Sequence, residues 1–142
     1  MRCLGGSPRR CWPILAAALA ALAGRCPVPV HLDTDQLDMA RLSPAVENAA
    51  YFVVAEALTN LAKHSGASSG SVRVVRDERM LRVTVTDNGW GGAHPAKGHG
   101  LAGLRDRVRA LDGQLVVDSP AGGPTVLAAE LPARPVHPAN GN

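Results

Sequence analysis

Aromatic side chains are scarce in this sequence, with one Phe, one Tyr and two Trp among 142 residues. A core with so few large anchors has to be assembled from Val, Leu and Ala. Runs of Lys and Arg interleaved with aromatics are missing, which argues against nucleic acid as a partner. Cysteine is confined to Cys3, Cys11 and Cys26, a spacing that suits neither paired CxxC metal knuckles nor an even disulfide framework, so free thiols are expected. His31, His64, His94, His99 and His137 are scattered, with no HExxH pair and no spacing shared with the cysteines, so zinc is not expected. A GxSxG nucleophile elbow and a GxxxxGK followed by Ser or Thr are both absent. Apolar runs long enough to cross a bilayer are absent too.

What remains is a chain that is 46% hydrophobic and 19% charged, with a formal net charge of +3. That composition suits one globular domain with a ragged end or two, and its charge permits a phosphate-bearing ligand. Residues 1–26, MRCLGGSPRRCWPILAAALAALAGRC, superficially resemble a secretory signal, with Arg9 and Arg10 ahead of an apolar stretch. Arg25 separates the small residues from Cys26, however, and Ala and Leu are the best helix formers. The pattern therefore predicts a packed helix over residues 14–23, closed by Gly24, and no stable membrane insertion.

Val28, Val30 and Leu32 then alternate beside prolines, as in an edge strand. Ser43-Pro44 reads as a helix start, and Val46, Ala50, Val54, Ala57, Leu58 and Leu61 gather on one face of a helix over 44–65. Glu56, Asn60 and Lys63 form a polar stripe along that face, with His64 beside it; a solvated helix edge is the plain alternative. Alternation over 71–75 and 81–86 around RDER predicts a hairpin whose second strand delivers Asp87 to the sheet edge. From Trp90 to His99 the chain has no apolar period and reads as a mobile loop. A helix over 100–111 follows, buried through Leu101, Leu104, Val108 and Leu111, and its first turn is a natural seat for phosphate. Strands over 115–117 and 125–131 close the domain around SPAGGP, and residues 133–142 form a proline-rich tail expected to be disordered.

The stretch that draws most attention is DNGWGG, residues 87–92, where a carboxylate ends a strand and three glycines follow within four positions. A carboxylate there can accept from a ligand amino group, and glycines let the backbone approach a flat ring. Gly98, Gly100 and Gly103 also match GxGxxG, but HPAK precedes them where a dinucleotide fingerprint needs a strand.

Taken in order, ALTNLAKHSGA, DNGWGG, GHGLAGLRDRV and AGGPT resemble the ATP-binding domain of bacterial sensor histidine kinases, in the branch that partners response regulators with helix-turn-helix outputs. The resemblance covers residues 14–132 and leaves 1–13 outside the family pattern. It implies an α+β chain in a two-layer α/β sandwich of the Bergerat type, a mixed sheet against about three helices, binding ATP and Mg²⁺. By resemblance Asp87 accepts from the adenine amino group, Gly89 and Gly91 shape the adenine wall, and Thr125 closes it. Asn60 holds Mg²⁺, Lys63 and His64 meet phosphate or ribose, and Gly98, Gly100 and Leu101 carry the phosphate seat. Glu56 stands where the family uses a catalytic carboxylate to orient the nucleophile or a metal-bound water.

Two departures are visible. Pro124 replaces a frequent family glycine just before Thr125, and no histidine here sits in a phosphoacceptor helix followed by an acidic residue. The resemblance thus implies a cytoplasmic Mg-ATP-binding kinase domain, standing alone or truncated. It would act on a phosphoacceptor histidine supplied in trans, with a response regulator as indirect partner. A serine kinase of the anti-sigma-factor type, acting mainly by partner binding, and a non-catalytic remnant of the fold are the alternatives.

Overall fold

A computed structural model describes residues 14–36, 42–93 and 100–133 of the chain. Helix α1 (Ile14–Arg25) leads into strand β1 (Val30–Gln36) and the long helix α2 (Pro44–His64). Strands β2 (Gly70–Arg76) and β3 (Met80–Asp87) follow, then helix α3 (Leu101–Arg109) and strands β4 (Gln114–Asp118) and β5 (Thr125–Pro132). Residues 1–13, 37–41, 94–99 of the expected loop and the tail beyond Ala133 lie outside the described residues.

Each element forms for a local reason. The Ala/Leu run of α1 buries Leu15 and Leu19, one turn apart, and continues past Gly24 to Arg25. At the start of α2 the Ser43 hydroxyl accepts the N–H of Val46 at 3.3 Å, and Pro44 occupies the first turn, where its missing N–H is not needed. The β2–β3 hairpin turns where Asp77 Oδ1 accepts the N–H groups of Arg79 and Met80 at 2.8 and 2.7 Å. Helix α3 stops at Arg109 instead of running on to Leu111, because Asp112 adopts a positive φ and Gly113 N–H returns to the Val108 carbonyl.

The sheet order is β1-β2-β3-β5-β4, with β1 and β2 parallel and the other neighbours antiparallel. A parallel pair needs a crossover, and α2 supplies it between β1 and β2. All three helices cover one face of this mixed sheet, so the chain is the expected α+β two-layer sandwich. Between the layers lie Val53, Val54 and Leu61 of α2, Leu101 and Val108 of α3, and Val74, Leu81, Val83 and Leu131 of the strands, all nearly or fully buried. On the far face Arg82 of β3 and Glu130 of β5, directly opposed in register, pair at 2.8 Å.

This topology decides where a site can form. β3 ends and β5 begins at the same edge of the sheet, where Asp87 and Thr125 are register partners. The C-terminus of α2 reaches that edge as well, since the Ser65 carbonyl accepts from Trp90 N–H just beyond β3.

Leu19 is fully buried, which makes α1 an integral part of the core. Leu19→Ala should lower unfolding free energy by about 2–5 kcal/mol, the usual scale for a truncated core leucine, as measured by urea denaturation. A change within about 0.5 kcal/mol, typical of surface substitutions, would show that α1 is only appended.

Candidate functional site

Strand alternation dictates where Asp87 points. Leu81, Val83 and Val85 of β3 all face the helices, so Asp87, two residues further on, inherits the buried side. The residue is only 7% exposed. Its Oδ1 accepts the N–H of Gly89 at 2.8 Å, and Oδ2 makes no hydrogen bond among the described residues. Burial pushes the Asp87 carboxyl above the usual carboxylate range, and the Gly89 N–H opposes that shift without cancelling it. A half-satisfied buried carboxylate is primed to accept a hydrogen bond from something placed beside it.

The space beside it is a cleft between the layers. Ala57, Asn60 and His64 line it from α2, and Leu101 lines it from the first turn of α3. Its floor is apolar, formed by Val85, Val117 and Leu127, and Gly91, Gly92 and Ala93 form its rim. Thr125 completes the wall next to Asp87. An apolar floor with the Asp87 acceptor in the wall beside it suits a planar ring bearing an amino group.

The glycine loop is tied down on both sides. On the α2 side, Trp90 N–H and Trp90 Nε1–H donate to the carbonyls of Ser65 and His64 at 2.8 and 3.1 Å, satisfying groups a helix end leaves unpaired. Gly89 packs so closely here that a Cβ would lie 2.2 Å from the Ser65 carbonyl oxygen. Asn88 Oδ1 accepts the N–H groups of Ser68 and Ser69, holding the α2–β2 connection against the loop. On the other side, the β4–β5 turn meets the loop through Gly92 N–H to the Ser119 carbonyl, Gly122 N–H to the Trp90 carbonyl and Ala93 N–H to Ser119 Oγ.

The residues singled out from the sequence do not all come together. Asn60, His64, Asp87, Gly91, Leu101 and Thr125 share the cleft. Glu56 and Gly100 sit against each other at the start of α3, where a Cβ on Gly100 would lie 2.3 Å from Glu56 Oε1. Gly89 stands behind the cleft wall, against Ser65. Lys63 is exposed and borders a separate groove between α1 and α2 with Arg25 and Cys26. The helical row Ala57, Asn60, His64 faces the cleft, and Lys63, three residues on from Asn60, falls to the other side of that row. Gly98 lies outside the described residues. Pro124 does not displace Thr125, which is buried and in register with Asp87.

Sequence reasoning did not single out Ser65, Asn88 or Ser119, nor a role for Trp90. Their partners include backbone groups up to 32 residues away, which no local pattern announces. Among the described residues no group of three His, Cys, Asp or Glu could hold a metal ion, and no helix is long and apolar enough to cross a membrane.

Residues 45–135 match the family model described as histidine kinase-, DNA gyrase B-, and HSP90-like ATPase. The sensor histidine kinase MctS of Rhizobium johnstonii is 32% identical over 136 residues, covering 89% of this chain and 29% of that protein. The sensor histidine kinase YxjM of Bacillus subtilis is 35% identical over 86 residues, 61% of this chain and 21% of that protein. The chain therefore spans less than a third of the length of these relatives. Among solved structures, the Erythrobacter litoralis EL346 blue-light activated histidine kinase superposes with a TM-score of 0.63 at 26% identity. That overlap covers 84% of this chain and 39% of the other.

Because its folded-state pKa is raised, Asp87 favours folding while protonated and opposes it once ionised. Asp87→Asn, which keeps an acceptor for Gly89 N–H, should raise the melting temperature of the ligand-free protein at pH 7. That advantage should shrink as pH falls through the carboxylate range, where Asp87 protonates. Melting curves at pH 7 and pH 4 check both parts, and a variant less stable at pH 7 contradicts them.

Proposed function

The chain belongs to the family of histidine kinase-, DNA gyrase B- and HSP90-like ATPases, and from that premise we propose that it binds Mg-ATP as the catalytic domain of a sensor histidine kinase. In this reading it passes the γ-phosphoryl group to a histidine carried on a separate helical segment, and from there the signal reaches a response regulator. One observation carries the reading: a buried carboxylate, Asp87, with one oxygen held by Gly89 N–H, opens into an apolar slot walled by α2 and α3.

The chemistry distributes as follows. The adenine ring lies on Val85, Val117 and Leu127, its amino group donates to Asp87, and Thr125 faces its edge. Gly91 lets the loop backbone close over the ring, and Gly89 lets that loop seat against α2. The phosphates run toward Gly100 and Leu101, where the unpaired N–H groups of the first α3 turn and the helix dipole favour negative charge; Gly98 belongs to the same seat. His64 meets ribose or phosphate from α2, a role the family resemblance also gives to Lys63. Asn60 offers a side-chain carbonyl to Mg²⁺, a cation that takes few protein ligands and keeps phosphate oxygens and water for the rest. Magnesium bound there would neutralise charge on the phosphates.

Phosphoryl transfer is mainly positioning and electrostatics. An imidazole nitrogen attacks the γ-phosphorus in line, the bond to the bridging oxygen breaks, and ADP leaves. Glu56, beside Gly100 at the phosphate end of the cleft, orients the attacking imidazole. A cytoplasmic setting, where ATP is abundant, belongs to the same reading.

Titration calorimetry with Mg-ATP tests it. Saturable binding is expected, and Asp87→Asn should weaken it by about 1–3 kcal/mol through loss of a charge-assisted acceptor. Asn60→Ala should flatten the dependence of ATP affinity on Mg²⁺ concentration. No heat at millimolar nucleotide would leave a fold without the function, and unchanged affinity in Asp87→Asn would place the adenine elsewhere.

A further inference from the structure

We propose that Ser119 sets the base specificity of the cleft by turning the Thr125 hydroxyl into a donor; this rests on the cleft being the nucleotide site. Ser119 lies in the β4–β5 turn, outside the residues that line the cleft, and acts through Thr125 as a positioning residue. Its Oγ lies 2.5 Å from Thr125 Oγ1, so one hydroxyl hydrogen sits between the two oxygens. The same Ser119 oxygen accepts the N–H of Ala93 at 2.9 Å.

A hydroxyl has one hydrogen and two lone pairs, so the pair has two arrangements. If Thr125 donates to Ser119, only lone pairs of Thr125 face the cleft. If Ser119 donates to Thr125, the Thr125 hydrogen is free to point into it. The bond from Ala93 favours the second arrangement, because an oxygen that already accepts a hydrogen bond becomes a stronger donor through its own O–H. Thr125 is buried, which leaves water little room to scramble the order.

The consequence comes from register. Asp87 and Thr125 are directly opposed on adjacent antiparallel strands, so an acceptor and a donor are presented side by side. Adenine carries an amino donor next to a ring-nitrogen acceptor and matches both, directly or through one water. Guanine carries a carbonyl acceptor next to an N–H donor at the same edge and mismatches both. Asp87 alone rejects the carbonyl; the Ser119–Thr125 pair adds the second mismatch. Sites that pair with polar groups discriminate through the groups a wrong ligand leaves unpaired.

The test is competition binding of ATP, GTP and 1-deaza-ATP, in which that ring nitrogen is replaced by C–H. It is run on the wild-type chain, Ser119→Ala and Ser119→Thr, each checked for folding by circular dichroism. In Ser119→Ala the Thr125 hydroxyl is released to donate or accept, so ATP affinity should stay within about twofold while GTP affinity rises about tenfold, the scale of one hydrogen bond. Ser119→Thr, which keeps a hydroxyl, should retain the wild-type ATP/GTP ratio. 1-Deaza-ATP should bind about tenfold more weakly than ATP to wild type, the penalty of a Thr125 donor left without its ring-nitrogen acceptor. If Ser119→Ala does not fold, Ser119→Cys, near in size with a weak donor, takes its place in the same comparison. Parallel loss of ATP and GTP binding, an unchanged ATP/GTP ratio in Ser119→Ala, or no 1-deaza penalty in wild type would reduce Ser119 to a structural turn residue and overturn the inference alone. A wild-type chain that binds no nucleotide would remove the reading of the cleft and the inference together.

Discussion

A carboxylate buried at the end of a central strand is unfavourable by itself, and much of the surrounding structure exists to accommodate the one at Asp87. Gly89 turns its N–H back onto Oδ1 in a local Asx turn, and the same stretch after β3 folds tightly against the end of α2. The close fit of Gly89 on the Ser65 carbonyl and the double hydrogen bond from Trp90 to α2 are the two halves of that packing. The loop that stabilises the carboxylate also binds the carbonyls at the end of the longest helix.

The sandwich turns this arrangement into a cleft. Helices lie on one face only, so the edge where β3 ends and β5 begins is roofed by α2 and α3 but not filled. Val85, Val117 and Leu127 continue the core into that gap as a flat apolar floor, and Asp87 and Thr125 mark its polar end. The gap is a piece of core with its last layer missing, which is why a planar ligand can complete it.

The elements were legible in the sequence because their causes are local. The Ser43-Pro44 start, the apolar row from Val46 to Leu61 and the alternation of Leu81, Val83 and Val85 all appear as expected, with the named residues buried. Strand alternation alone also turned Asp87 inward. The stripe of Glu56, Asn60 and Lys63 was less fully legible. Only Asn60 of the three lines the cleft, since α1 lies on one side of α2 and α3 on the other, and the sequence does not show which neighbour each side meets.

By itself the sequence determined the order and type of the elements, the inward face of each, the four boxes that mark the family, and the carboxylate at the strand end. These follow from periodicity, propensity and motif spacing, which depend on near neighbours along the chain. Tertiary structure alone decided that Gly89 seats on Ser65, that Glu56 meets Gly100 while Lys63 turns toward α1, and that Ser119 reaches both Ala93 and Thr125. Those contacts depend on how the β4–β5 turn and the end of α2 converge on one loop. Hydrogen bonds between distant segments exist only after the sheet has set their positions, so no local pattern could contain them.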